Sequence, residues 1–191
     1  MRRIGRWLWI TLAILLVATA AAAALPYFAF ELLPPHAARR SGATLDDPLR
    51  KAVEAGLAQS APTSVDEARD FSLSVTDKLL YFGLDHPTNF SFSMAPRKGN
   101  CIEYAHLFAR VFDKAAAKGN LKARAFVVHS SKARVLGQKL PFQGWDDHDW
   151  VLIEDRTGQD VRRLHVDPTL HDAGLGWDIA SNVKGDVKLP P

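Results

Sequence analysis

The sequence predicts an α+β domain in which N-terminal helices pack on an antiparallel sheet, with one transmembrane helix ahead of it. Three observations carry that expectation. Helical periodicity comes first along the chain and strand-like runs come later, the order expected of α+β rather than of alternating α/β. A hydrophobic fraction of 47% and a charged fraction of 24% over 191 residues suit one folded core. An uncharged stretch from Trp7 to Phe30 follows Arg2, Arg3 and Arg6, long enough for a helix to cross a hydrocarbon layer of roughly 30 Å.

The chain divides on this basis into an anchor at 1–31, a linker at 32–45 and a domain at 46–191. Arginines before the apolar stretch predict a cytoplasmic N-terminus and an exported domain, placed in the periplasm or outside the cell on a single-pass inner-membrane helix. The Ala20–Ala24 run also has the small residues of a signal-peptide cleavage site. Apolar character continues through Leu25 to Phe30 and favours a retained anchor. Leu33-Pro34-Pro35-His36 and the small polar residues to Gly42 read as linker.

Leu49, Val53 and Leu57 space an amphipathic helix over Asp46 to about Gln59. Ser64-Val65-Asp66-Glu67 has the capping-box form and opens a second helix to about Phe82, with Phe71, Val75 and Leu79 on its buried face. A polar loop from Gly83 to Asn100 follows, broken by Pro87, Pro96 and Gly99. Asn100 then caps a helix that Gly119 ends as a left-handed terminator, with Cys101, Ala105, Phe108, Phe112 and Ala116 on one face. Lys122–Ser130, His148–Glu154 and Val161–Val166 read as strands, the last two joined by the turn Arg156-Thr157-Gly158-Gln159.

Net charge is +3, three of the positive charges lie at the N-terminus, and no basic stripe interleaves with aromatics. Nucleic acid is not an expected partner. Cys101 is the one cysteine, which excludes an intrachain disulfide and a Cys-based zinc site. A lone thiol in an oxidising compartment is a liability unless chemistry uses it. At the first turn of a helix it sits where the backbone stabilises a thiolate, and free N–H groups there can hold an oxyanion. Gly99 would let a substrate approach closely. The plain alternative is a small buried side chain.

A thiolate needs an imidazole partner. Of seven histidines, His36 and His86 lie in linker and loop. His106 faces away from Cys101 on the same helix, and His129 ends a strand. His148 opens one, with Trp150 and Leu152 on its face. If the last two strands form an antiparallel hairpin, Asp167 falls beside His148 and can orient it. Asp167 could equally open a turn before Pro168.

Gly99-Asn100-Cys101-Ile102-Glu103-Tyr104-Ala105, Ala123-Arg124-Ala125-Phe126-Val127, His148-Asp149-Trp150 and Asp167-Pro168-Thr169 occur in that order. Together they resemble the transglutaminase-like superfamily, papain-like cysteine enzymes that include bacterial transglutaminase-like cysteine peptidases. The likeness spans about residues 64 to 170. It implies a papain-like core, Cys101 as nucleophile, His148 as general base and acid, and Asp167 as the group that orients His148. An upstream side chain completes the oxyanion hole in such enzymes, and Tyr81 is the candidate.

Calcium at Asp146, Asp147, Asp149 and Glu103 lacks a compact oxygen-rich loop. Zinc at His148, His165, Asp167 and His171 lacks a recognised spacing. No metal and no cofactor are therefore expected. The resulting expectation is an exported, membrane-tethered amide hydrolase acting through a thioester on a protein or peptide of the cell envelope. Acyl transfer and a non-catalytic envelope domain, with possible membrane-protein partners, are the alternatives.

Overall fold

A computed structural model describes residues 11, 12, 14–16, 18, 19, 30–138 and 147–190. Four antiparallel strands form its main sheet, in the order β10-β9-β7-β2. They are β2 (His36–Arg39), β7 (Ala123–Ser130), β9 (His148–Asp155) and β10 (Arg162–Val166). Three two-stranded sheets flank it. β1 (Phe30–Leu32) pairs with β8 (Ala133–Val135), β3 (Thr44–Leu45) with β5 (Ser91–Phe92), and β4 (Leu80–Phe82) with β6 (Arg97–Gly99).

The helices are α1 (Asp47–Gln59), α2 (Val65–Leu79), α3 (Cys101–Lys118) and α4 (Pro168–Asp172), besides helical residues between 11 and 19. α3 is the central element. Its Phe108 and Phe112 share one core with Val127, Val151 and Ile153 on one sheet face. Trp150, Leu152 and Val128 point to the other face, where Leu32, Ile179 and Val187 cover them. This is the alternation a doubly covered sheet requires.

The α+β class stands, but the transmembrane helix does not. Among the described residues no helix is long and apolar enough to cross a membrane. A span needs about 20 continuous apolar helical residues, and most of Trp7–Phe30 lies outside the described residues. The single-pass inner-membrane placement, with the domain periplasmic or extracellular, depended on that helix and is corrected with it. The stretch expected as linker is also different: β1, β2 and β3 lie within 30–45, and Leu32 is fully buried.

α1 buries Leu49, Val53 and Leu57, the three residues its spacing predicts. α2 buries Leu79 as its spacing predicts but otherwise turns a different face inward, with Ala68, Ser72, Leu73 and Thr76 buried and Phe71 and Val75 only partly so. Ser72 and Thr76 can be buried because each hydroxyl donates to the carbonyl four residues back, at 2.6 and 2.8 Å. The helix stops at Leu79, and Leu80–Phe82 leave as β4. Gly119 ends α3 with a right-handed φ of −80°, and the left-handed residue is Asn120 at +55°. Glycine is needed at 119 for a different reason, since a Cβ there would run into the Pro62 carbonyl oxygen.

Candidate active site

The site is assembled at the N-terminal end of α3, where three chain segments meet. α3 begins with a closed capping box. The Asn100 side chain accepts from the Glu103 N–H at 3.2 Å, and Glu103 accepts from the Asn100 N–H at 3.1 Å. A helix start leaves four N–H groups without intrahelical partners. The box satisfies two, and those of Cys101 and Ile102 meet no acceptor among the described residues. Cys101, at the first helical position, is half-buried.

Glu103, which sequence reasoning weighed only as a calcium ligand, is the post on which this turn stands. It is fully buried. It also accepts from His86 and Arg97, both at 2.5 Å, and from the Asn89 N–H at 3.0 Å. Burial pushes its carboxyl up, but Arg97, His86 and the two backbone N–H groups outweigh it and hold the pKa below the usual range. Four segments of the 86–103 stretch thereby converge on one carboxylate. The spacing Asn100-x-x-Glu103 is a capping-box signature and could have revealed it.

Gly99 serves packing rather than substrate access. It is buried, and a Cβ would lie 3.1 Å from two Leu80 methyl carbons. Tyr81 is half-exposed on β4, opposite Lys98 in register. No contact ties it to Cys101 among the described residues, whereas the Cys101 and Ile102 N–H groups lie at the helix start itself.

β9 supplies His148 and the turn after β10 supplies Asp167. The hairpin pairs Val166 with Val151 and Leu164 with Ile153, which sets Asp167 diagonally across from His148. His148 Nε2 lies 2.6 Å from Asp167 Oδ2. Asp167 is fully buried and caps α4, its other oxygen accepting from the Thr169 and Leu170 N–H groups at 2.9 and 3.1 Å. Tyr104 of α3 donates to Asp172 at 2.5 Å and ties α4 to the cysteine helix.

Burial works against the His148 imidazolium. The Asp167 charge and hydrogen bond, joined by the hydrogen bond and charge of Cys101, override it and hold the pKa well above the ordinary histidine range. Since Nε2 is given to Asp167, Nδ1 is the ring nitrogen left for Cys101. The Phe30 ring stands edge-on to His148 at 5.4 Å, an aromatic wall that sequence reasoning had assigned to the anchor. Cys101, His148 and Asp167 are thus brought together.

The remaining histidines do other work. His106 is buried, accepts from the Gly42 N–H at 2.9 Å, and burial lowers its pKa to about 4. His165 is lowered to about 4 mainly by burial, and its Nδ1 accepts from Trp150 at 3.1 Å. Trp150 itself is fully buried core. His129 pairs with Asp149 at 2.6 Å, and Arg39 holds the same carboxylate at 2.7 Å.

Among the described residues no group of three or more His, Cys, Asp and Glu is placed to hold a metal ion. Asp146 lies outside them. Of the other acids weighed for calcium, Glu103 is engaged with Arg97 and Asp149 with Arg39. Compared with family models, with curated proteins and with solved structures, the chain matches none.

Proposed function

We propose that this chain is a cysteine-dependent amide hydrolase of transglutaminase-like type, working through a thioester on a protein or peptide substrate. The observation that carries the proposal is the single imidazole shared between the Asp167 carboxylate and the Cys101 side chain, at a helix start with two open N–H groups. Asp167 holds the ring in one orientation and stabilises its protonated form. The Cys101 sulfur attacks the amide carbonyl, and the carbonyl oxygen becomes an oxyanion facing the Cys101 and Ile102 N–H groups. His148 then gives its proton to the departing amine as the C–N bond breaks, leaving a thioester. Water attacks next, His148 takes its proton, and the C–S bond breaks to release acid and free thiolate. A primary amine in place of water turns the same cycle into acyl transfer.

Two measurements test the proposal. Iodoacetamide should alkylate Cys101 at pH 7 at least about tenfold faster than it alkylates glutathione, because only the thiolate reacts. Peptide mixtures should acylate the protein to an adduct cleaved by hydroxylamine, and Cys101→Ala should form none. Alkylation slower than glutathione, or an adduct that persists in Cys101→Ala, overturns the mechanism. Products formed in cadaverine separate hydrolysis from transfer.

A further inference from the structure

At the end of β9 remote from His148, the chain forms a cavity of about 770 Å³. Arg124 and Phe126 alternate along β7 with Ala125 and Val127, which pack under α3, so they face the opposite side of the sheet. Phe126 and Leu189 give the cavity an apolar floor, and Arg40, Lys122, Arg124, Arg156 and Arg163 surround it.

Among the described residues the one acid in the lining is Glu154. It accepts from Arg156 at 2.8 Å and lies 3.4 Å from Arg163. Arg40 reaches Asp113 at 2.6 Å, outside the lining, and sets its guanidinium 5.1 Å from the Phe126 ring centre. Lys122 and Arg124 make no salt bridge to any described residue. Five cations around one cavity repel each other, and a bound anion converts that repulsion into attraction. The volume falls within the range of small-molecule sites, about 300–1,000 Å³. Asp113 and Glu154 engage three of the five cations and leave Lys122 and Arg124 with no anionic partner among the described residues, a shortfall that linked phosphates have enough acceptor positions to fill. The apolar floor matches a flat or apolar body attached to them.

We propose that this cavity binds an organic polyphosphate, its phosphates among the arginines and Lys122 and its body against Phe126. Glu154 lies six positions along β9 from His148, about 20 Å of strand, so this ligand takes no part in the thioester chemistry.

Titration calorimetry on the full chain tests this with two probes, ATP and inorganic tripolyphosphate, at physiological salt. Both should bind saturably with Kd below about 1 mM, ATP the more tightly, and both should weaken as salt rises. The double variant Lys122→Glu/Arg124→Glu changes two exposed side chains that make no salt bridge. It should keep its circular dichroism and lose at least about tenfold in affinity for each probe. Absence of saturable binding, or undiminished binding by the double variant, overturns the proposal. Equal affinity for the two probes overturns the part given to Phe126 and the organic body.

Discussion

Neighbouring residues of β9 hold two histidine–aspartate pairs that look alike and differ in what they face. On one side of the strand, His148 lies 2.6 Å from Asp167. On the other, Asp149 lies 2.6 Å from His129. Both carboxylates are almost completely buried, at 0% and 1% exposed. The third member separates them. His148 also interacts with Cys101 at a helix start, whereas Asp149 also takes the Arg39 guanidinium at 2.7 Å. A guanidinium only donates and carries no nucleophile, so the second cluster can clamp β2, β7 and β9 together but cannot attack a carbonyl. A His–Asp pair is therefore no site by itself. The group it delivers a proton to or takes one from decides.

The sharpest way to break this distinction is to remove each imidazole in turn. His148→Ala should lower amide turnover about 10⁴-fold, the upper range for loss of a general acid–base. His129→Ala should leave turnover within about threefold, since it removes no proton carrier from the Cys101 site. Comparable losses in the two variants would dissolve the comparison. Stability should respond to both clusters. His148→Ala leaves the fully buried Asp167 carboxylate with only its two backbone partners and should cost about 2–3 kcal/mol in urea unfolding. Asp149→Ala removes the acceptor shared by His129 and the half-exposed Arg39 and should cost about 1–2 kcal/mol.

Titration separates the histidines further. His148 has a folded pKa raised above its ordinary value of 6.5. Its protonated form therefore adds stability below that value, and the contribution is lost as pH rises through the folded pKa. His106 and His165 run the other way. Both are depressed from 6.5 to about 4, so their contribution is present above 6.5 and is lost as pH falls through about 4. Each can supply at most about 3 kcal/mol, at roughly 1.4 kcal/mol per unit. Urea midpoints measured from pH 4 to 9 should fall on both sides. His148→Gln should flatten the alkaline limb and His106→Gln the acid one. An alkaline limb that persists unchanged in His148→Gln would remove the imidazolium from the site.

Much of the site could be read along the chain because it depends on local rules. Asn100 caps, Cys101 follows, and a short hairpin sets Asp167 near His148. Elements whose burial depends on distant partners were not legible. Nothing near Phe30 or Leu32 in the sequence says that β1 pairs with β8 and that its phenyl ring meets His148. Ser72 and Thr76 read as polar, yet they are buried because their hydroxyls bond within the helix. Glu103 was visible by spacing, but its three further partners come from a loop with no periodicity. The apolar N-terminal run misled in the opposite direction, since composition alone suggested a membrane helix that the described residues do not contain.

Trp150 provides the mildest and most discriminating test, because it shares a sheet face with His148 and could serve packing or the site. Its indole N–H donates to His165 Nδ1 at 3.1 Å. Burial keeps His165 neutral at pH 7, so Nδ1 is free to accept. Trp150→Phe deletes the donor, leaves that acceptor buried and shortens the side chain beside Leu152 and Ile179. The expected loss is about 1–2 kcal/mol of stability. Turnover by the folded fraction should change less than about threefold, because the bond that orients His148 comes from Asp167 and lies outside this change. If Trp150→Phe instead cut turnover while leaving the urea midpoint in place, the indole would belong with Cys101 rather than with the core.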